Sequence, residues 1–370
     1  MRSSATKVCS LVVPLLALAP IAGCKVVPKS GERADSAAVA SADTARSAAA
    51  RDSAAGIAGT NSLAANDSGT VILHPAQPQR GGVLFVLAEG VTADPPRCTW
   101  KGASVPCHRV EGGVRALIPL PADEAAGSYT LTIDRPNGRI VRQVAVADRE
   151  FDRELVFLDS ARHALLSRAR DISRDARAMR QVLAGESEEQ RWQGAWRDPV
   201  QGSGRSSEYG VERFYYRASD SARAVTLRPS ARARGTFAGD TAFDGGRENE
   251  APAWRHSGVD IASRRGNTVR APAGAIVTDV GDYVLTGRTL ILDHGQGVHT
   301  AYFHLDTVLV RRGDVVRAGA TVGRVGNTGL ATGPHLHYGI YLHGKDVDPA
   351  AWRDMPAFVR GDSVARVAAN

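Results

Sequence analysis

Gly333-Pro-His-Leu-His337 begins a stretch, ending at Tyr341, that fits one β-strand in the last third of the chain. Residues i and i+2 of a strand point to the same face. His335 and His337 would therefore project together, while Leu336 faces the opposite side, where a core would cover it. Both imidazoles can reach one metal ion, or one can bind the ion while the other acts on its water. The stretch predicts a β-domain with a metal site on one face.

Two upstream motifs supply further ligands of the same chemical kind. His256-Ser-Gly-Val-Asp260 combines a histidine with a carboxylate, and Tyr302-Phe-His304-Leu305 adds another histidine. Imidazole and carboxylate are ligands that Zn²⁺ prefers, and three protein ligands leave a fourth position for water. Each motif alone occurs by chance in many chains. The three together favour a zinc site over unrelated surface or core histidines.

The region around these motifs has the pattern of an all-β domain. From Trp192 onward, glycines and β-branched residues alternate in short runs, which is typical of strands joined by turns. The runs are Thr268–Arg270, Gly274–Val277, Thr289–Leu292, His299–Phe303 and Thr321–Val325. They predict a catalytic domain with antiparallel pairing.

A second group of apolar runs, from Val71 to about Phe151, predicts a small β-sandwich. Tyr129, Leu131 and Ile133 alternate with threonines, and Pro136-Asn137-Gly138 is a turn signal between two strands. Cys98 and Cys107 could close a short disulfide loop in an oxidising compartment, and a free pair of thiols is the alternative.

Between these regions, Ser160 to about Leu183 predicts an amphipathic helix. Its apolar residues are spread among arginines and aspartates, and no glycine or proline interrupts them. We interpret this helix as a connector whose charged face is solvated.

The N-terminus has the features of an export signal. Arg2 and Lys7 precede an apolar run, and Ile21-Ala-Gly-Cys24 follows it. This string resembles the bacterial lipobox, in which the cysteine becomes the lipidated first residue. An ordinary secretory signal is the alternative. From Lys25 to about Thr70 the chain consists mainly of small and polar residues, and it is interpreted as a disordered tether.

Five motifs in order carry a resemblance over about residues 192–355. They are Ser206-Ser-Glu-Tyr-Gly-Val-Glu-Arg213, His256-Ser-Gly-Val-Asp260-Ile-Ala262, Asp293-His-Gly295, Tyr302-Phe-His304-Leu305 and Thr332-Gly-Pro-His-Leu-His337. Together they resemble the lysostaphin/LytM-type zinc metallopeptidase family, which hydrolyses peptide bonds in peptidoglycan. The resemblance implies one Zn²⁺ per chain held by His256, Asp260 and His337. It implies His304 and His335 as catalytic histidines, without showing which of them is the general base.

The region before the helix resembles the immunoglobulin-like module that precedes this peptidase in some bacterial members. One departure from compact members is the stretch of about forty residues between Arg213 and His256. This insertion is either a lid over the groove or a disordered surface segment.

The predicted organisation follows from these observations. It comprises a lipoprotein signal peptide over 1–23, a tether over 24–69, an Ig-like β-sandwich over 70–151, a helical connector over 152–191, a zinc peptidase domain over 192–355 and a tail over 356–370. The predicted fold class is mainly β.

Charge and composition limit the kinds of partner that the protein is expected to bind. The net charge of +7 suits an anionic envelope surface, although arginine-rich composition alone also explains it. Basic residues are not clustered with stacking aromatics, so nucleic-acid binding is not predicted. We predict a zinc-dependent peptidoglycan endopeptidase that cleaves stem-peptide cross-links.

We expect this enzyme to be anchored through Cys24, in the outer membrane facing the periplasm rather than in the inner membrane. The alternatives are a non-enzymatic activator of the LytM type and an envelope-binding structural lipoprotein. The activator would lack one or more of the five site residues, and the structural protein would leave the histidines unexplained.

Overall fold

The computed structural model describes residues 6–9, 25–27, 70–202, 204–221 and 253–360. Its elements are mostly β-strands, which confirms the predicted fold class. Strands β1 (Thr6–Cys9) and β2 (Lys25–Val27) pair in antiparallel orientation. Cys24, most of the predicted signal peptide and tether, the centre of the insertion and residues 361–370 lie outside the described residues.

Two four-stranded antiparallel sheets form a β-sandwich in the described part of the N-terminal half. One sheet has the order β3 (Val71–His74), β4 (Val83–Glu89), β8 (Gly113–Pro119), β7 (Cys107–Val110). The other has the order β10 (Gly138–Val146), β9 (Gly127–Arg135), β5 (Cys98–Trp100), β6 (Ala103–Val105). The predicted turn at Pro136-Asn137-Gly138 joins β9 to β10, and Ile133 pairs with Ile140 across it. Both isoleucines are buried in the core of the sandwich.

Cys98 and Cys107 lie in different sheets of the sandwich, and both thiols are free. The predicted disulfide is therefore absent from this structure, and a hydrogen bond joins the two thiols instead. That hydrogen bond and burial raise the pKa of Cys98. The same hydrogen bond lowers the pKa of Cys107.

Strand β4 contributes to two hydrophobic clusters, one inside the sandwich and one shared with the C-terminal part. Leu84 and Val86 of β4 face the interior of the sandwich. The alternate residues Val83 and Phe85 join the cluster of the C-terminal sheet. Since both faces of β4 are covered, its sequence is a continuous apolar run rather than an alternating one.

Arg115 of β8 adds a polar connection across the same junction. Its guanidinium is almost fully buried, at 1% exposure, and its Nη2 donates to Gln190 Oε1 at 2.8 Å. It also donates to Gln296 and to the carbonyl oxygens of Phe358 and Val359. Buried charged groups of this kind are stable only when they are hydrogen-bonded.

The observed connector differs from the predicted one in two places, before the helix and in the middle of it. It begins with strand β11 (Arg153–Leu158), and two helices follow, α1 (Ser160–Leu165) and α2 (Ala169–Leu183). The single helix predicted over 160–183 is interrupted because the chain turns at Leu166. This side chain packs with Ile172 in the cluster beneath a neighbouring sheet.

That neighbouring sheet contains β11, β13 (Glu212–Arg217) and β14 (Ala253–Arg255). Strands β11 and β13 are parallel, and β13 and β14 are antiparallel. Strand β1 lies parallel to β11 on the other side. The run of residues 155–158 is apolar because these side chains are buried on both faces of the sheet.

The C-terminal part is built on an eight-stranded sheet within the described residues. Its order is β12 (Arg205–Ser207), β15 (Val259–Ala262), β23 (His335–Leu342), β19 (Val298–Leu305), β18 (Gly287–Gly295), β17 (Ala275–Tyr283), β21 (Val315–Val316), with β24 (Lys345–Val347) beside β23. A small sheet has the order β16 (Thr268–Arg270), β22 (Thr321–Arg324), β20 (Thr307–Val308). Short helices are the 3-10 turns Ala218–Asp220 and Pro349–Trp352, and α3 (Ala357–Arg360). The sheet pairings are antiparallel, as predicted.

Candidate metal centre

Strand pairing brings the three motifs together at the centre of the large sheet. In β15 and β23, Asp260 lies directly opposite His337. In β19 and β23, Phe303 lies opposite the same histidine. A Cβ at Gly258 would lie 2.3 Å from the Tyr338 carbonyl oxygen. Glycine at this position therefore allows the H-x-x-x-D segment to approach the H-x-H strand.

His256, Asp260 and His337 form the one cluster in the described residues with the composition and spacing of a metal site. His256 Nε2 lies 3.0 Å from Asp260 Oδ1 and 2.9 Å from His337 Nδ1. His337 Nδ1 lies 3.1 Å from the same carboxylate oxygen. Ligand atoms about 2.0–2.1 Å from a tetrahedral zinc ion are about 3.3 Å apart. The donor atoms therefore already lie close to the spacing that zinc requires.

Each of the two histidines turns one ring nitrogen toward the cluster. His256 Nδ1 donates to the Glu208 carbonyl oxygen at 2.7 Å, so its Nε2 lone pair faces the cluster. His337 presents Nδ1, and its ring stacks on Phe303 with centroids 4.8 Å apart. Burial lowers the pKa of His337 to about 4, although its hydrogen bond with Asp260 opposes this shift. His337 is therefore a neutral imidazole at neutral pH, which is the form that binds metals.

Asp260 is held in its charged form. Burial disfavours the carboxylate, but the nearby charge of Arg213 and the contact with His256 outweigh it and hold the pKa of Asp260 well below its usual range. Arg213 Nη2 donates to Asp260 Oδ2 at 2.5 Å. Since Oδ2 is engaged in this way, Oδ1 is the carboxylate oxygen that faces the two imidazoles.

The two remaining predicted histidines lie in the same groove. The rings of His304 and His335 have centroids 4.8 Å apart. His335 Nε2 lies 3.6 Å from Asp260 Oδ1. Burial, together with the neighbouring His335 and His337, holds the pKa of His304 well below its usual range, so this ring is neutral. His304 also has a φ of 61°, a strained conformation for a non-glycine residue that is concentrated at functional sites. All five predicted residues are therefore brought together.

The groove has a wall that the sequence did not predict. Glu154 and Val156 of β11 and Tyr215 of β13 line it together with the histidines. The sequence predicts no role for Arg213, although this residue ends one of the five motifs, and it predicts a helical connector rather than a strand around Glu154. One feature of the sequence could have indicated this wall: Glu154 is an acidic residue that directly precedes the apolar run 155–158.

No helix of the described residues is both long enough and apolar enough to cross a bilayer.

Comparison with known proteins identifies the segment that carries the centre. Residues 254–349 match the family described as Peptidase family M23. The DD-carboxypeptidase/endopeptidase Mpg of Neisseria meningitidis serogroup B is 40% identical over 99 residues, which are 26% of this chain and 23% of that protein. Peptidoglycan DD-endopeptidase ShyA of Vibrio cholerae is 36% identical over 93 residues, 25% of this chain and 22% of that protein. The chain thus matches about a quarter of the length of these curated relatives.

One solved structure is similar over a much larger part of the chain. A protein from Pseudomonas aeruginosa assigned to peptidase M23 is 25% identical with a TM-score of 0.51, and the likeness covers 75% of this chain and 96% of that one. Residues 254–349 make up a much smaller part of the chain than the 75% that this structural likeness covers. The shared fold therefore extends beyond the segment that matches the family. The predicted resemblance to this class of peptidase is confirmed.

Proposed function

Because residues 254–349 form a domain of peptidase family M23, we propose that this protein is a zinc-dependent endopeptidase that hydrolyses stem-peptide cross-links in peptidoglycan. The convergence of His256, Asp260 and His337, with His304 and His335 beside them, is the observation that carries the proposal. The name of the ShyA relative, a peptidoglycan DD-endopeptidase, supports the choice of polymer and bond.

The donor set fits zinc. Two neutral imidazoles and one carboxylate supply two nitrogen ligands and one oxygen ligand, with a total charge of −1. Zinc hydrolases commonly use three protein ligands of these types and leave the fourth position open. Zinc supplies a Lewis acid for the scissile carbonyl and lowers the pKa of water toward neutrality. His256, Asp260 and His337 would hold the ion.

His304 and His335 provide the proton transfers. His304 Nδ1 donates to the Thr328 carbonyl oxygen at 2.8 Å, and His335 Nδ1 donates to the Gly333 carbonyl oxygen at 2.8 Å. Both rings are thereby fixed with Nε2 free for chemistry. One Nε2 would accept the proton of the attacking water and then give it to the leaving amine. The other ring, after taking up a proton from solvent at Nε2, would donate a hydrogen bond to the developing oxyanion.

The non-enzymatic alternative predicts a site that lacks one or more of these residues. The chain has all five, and all five line one groove, which supports the enzymatic proposal. A structural lipoprotein would not need histidines and a carboxylate buried side by side, since burying polar and charged groups costs stability.

The experiment is digestion of purified sacculi with the full chain, followed by mass spectrometry of the released muropeptides. We expect cross-linked dimers to be converted to monomers, and a chelator to stop this until zinc is restored. The His304→Ala variant is the matched negative control. Unchanged sacculi with the zinc-loaded protein, under conditions in which a known endopeptidase digests them, would contradict the proposal.

We also propose that Cys24 is lipidated and that the protein faces the periplasm from the outer membrane. The support is the Ile21-Ala-Gly-Cys24 string after an apolar run, and Lys25 in place of the aspartate that commonly signals inner-membrane retention. A lipid anchor would keep the peptidase beside its polymer.

A further inference from the structure

A row of three buried charges leads from the connector strand to the candidate metal centre. Arg213 Nη2 donates to Asp260 Oδ2 at 2.5 Å, and Arg213 Nε donates to Glu154 Oε2 at 3.0 Å. The side chains of Glu154, Arg213 and Asp260 are 11%, 14% and 7% exposed, so water screens these contacts little. Ser207 Oγ is a further donor to Glu154 Oε2, at 3.4 Å.

The strand order explains how these charges meet. Glu154 and Arg213 are direct register partners in the parallel strands β11 and β13. Asp260 belongs to the separate eight-stranded sheet, and Arg213 reaches across the gap between the two sheets. Glu154 and Arg213 both lie before the matched segment 254–349. The centre is thus completed by residues from outside the segment that defines the family.

We propose that Arg213 and Glu154 are positioning residues that set the metal affinity of this site by holding Asp260 with Oδ1 toward the ion. The inference rests on the proposed zinc site and adds to it two residues to which no role has been assigned. Neither side chain ligates the ion. Each acts through the carboxylate of Asp260.

The geometry of arginine suits this role. Its guanidinium is a planar fork that donates to two acceptors in fixed directions, here the carboxylates of Asp260 and Glu154. A lysine would keep the charge, but its single ammonium group cannot hold both carboxylates in the same arrangement. Losing the fork would let Asp260 rotate and present either oxygen, so the donor set would no longer be preorganised.

Charge balance explains the need for Glu154. A positive guanidinium beside a metal ligand repels a divalent cation, and the repulsion is strong in a buried site. Glu154 neutralises that charge at the far side of Arg213. Removing the carboxylate would leave Arg213 with an uncompensated charge next to the metal ligand and weaken metal binding.

The neighbouring residue Glu212 offers a matched control, which shows whether losing any buried carboxylate of this sheet affects zinc binding. Glu212 is next to Arg213 in β13 but points to the opposite face, where it accepts from Arg153 and Arg255 at 3.0 Å each. Its side chain is 7% exposed, close to that of Glu154. Glu212→Gln therefore removes a buried charged contact of the same sheet without touching the metal ligands.

The experiment measures zinc affinity of the full chain by competition with a chromophoric chelator, with thermal unfolding of each metal-free variant recorded in parallel. Partners of metal ligands change affinity by about 10–100-fold, so we expect Glu154→Gln and Arg213→Lys each to raise the zinc Kd by at least about tenfold. Glu212→Gln should change it by less than about twofold. Glu154→Asp, which keeps the charge on a shorter side chain, serves if Glu154→Gln does not fold.

The outcomes separate the two proposals. A wild-type protein that binds no zinc would overturn the proposed function and this inference with it. A wild-type protein that binds zinc with the same Kd as Glu154→Gln and Arg213→Lys would overturn this inference alone. An equal loss in Glu212→Gln would also overturn it, because the effect would then come from the sheet as a whole.

Discussion

The imidazoles of His304 and His335 face each other with ring centroids 4.8 Å apart, although they come from different strands. Each ring is anchored to a backbone carbonyl oxygen, His304 at Thr328 and His335 at Gly333. The pair is therefore oriented by the backbone and not by the metal ligands.

From this arrangement we predict that His304→Ala and His335→Ala keep zinc but lose turnover. General acid–base groups contribute about 10²–10⁴-fold to rate, and we expect a loss in this range for each variant. Elemental analysis and muropeptide release measure the two properties separately. Loss of zinc in His335→Ala would mean that the ligand and catalytic roles of the H-x-H pair are reversed.

The ligand variants should behave in the opposite way. Asp260→Ala and His337→Ala each remove one of the three converging donor atoms, so we expect little or no zinc in the purified protein and no activity. Zinc content per chain, measured by elemental analysis, tests this. A full zinc equivalent in either variant would refute the assignment.

A pH dependence of stability should arise from His294, which lies outside the candidate centre. It is fully buried between the Gly274 carbonyl oxygen and the Thr300 hydroxyl, and burial lowers its pKa to about 4. Because the unfolded chain has a His pKa of about 6.5, the unfolded state binds more protons between these values. The stabilising contribution is therefore present above pH 6.5 and is lost as the pH falls toward 4.

The size of this effect follows from the shift. Between pH 7.5 and pH 5, His294 should contribute about 2 kcal/mol of lost stability. Denaturant unfolding of metal-free wild type and His294→Gln at both pH values measures it. The variant should be less stable at pH 7.5 but should lose about 2 kcal/mol less than wild type on acidification. Equal losses in the two proteins would show that another group causes the pH dependence.

Arg115 should be important for stability although it does not line the groove. Arg115→Ala would leave the carbonyl oxygens of Phe358 and Val359 without this donor and open a cavity, so we expect a loss of about 3 kcal/mol in the free energy of unfolding. Arg109→Ala is the control, since Arg109 donates to the carbonyl oxygens of Thr92 and Ala93 at an exposed position. Its loss should stay below about 1 kcal/mol.

Anchoring gives a test of the N-terminal prediction. Cys24→Ser should release the protein from sedimented membranes, since acylation of Cys24 is the proposed source of membrane affinity and a lipobox serine is not acylated. A salt-washed membrane fraction probed for the protein measures this. Continued sedimentation of the variant would argue against the lipobox interpretation.

The local sequence pattern was sufficient to predict the positions of residues that belong to a single strand. His335 and His337 lie in one groove because alternate residues of a strand share a face, and this could be predicted before the fold was known. The same holds for β9 and β10, whose turn residues indicate the hairpin.

Glu154 shows where local pattern is insufficient. Its contact with Arg213 joins residues 59 positions apart, through parallel pairing that neither segment indicates by itself. The apolar run 155–158 is short enough to fit a helix or a strand, and its position next to the predicted helix favours the helical connector. Only the neighbouring strand β13 decides between the two, so the wall of the groove could not be predicted from the sequence.

The placement of Val83, Phe85 and Leu117 has a consequence for how this protein can change over evolution. These sandwich residues are buried against the C-terminal sheet, in the same cluster as Trp352. The sandwich therefore cannot be exchanged for another domain without changing the surface that it covers. Recombination that joined a foreign module to this peptidase would leave a large apolar surface without its partner, and the new fusion would need matching substitutions on both sides to remain soluble.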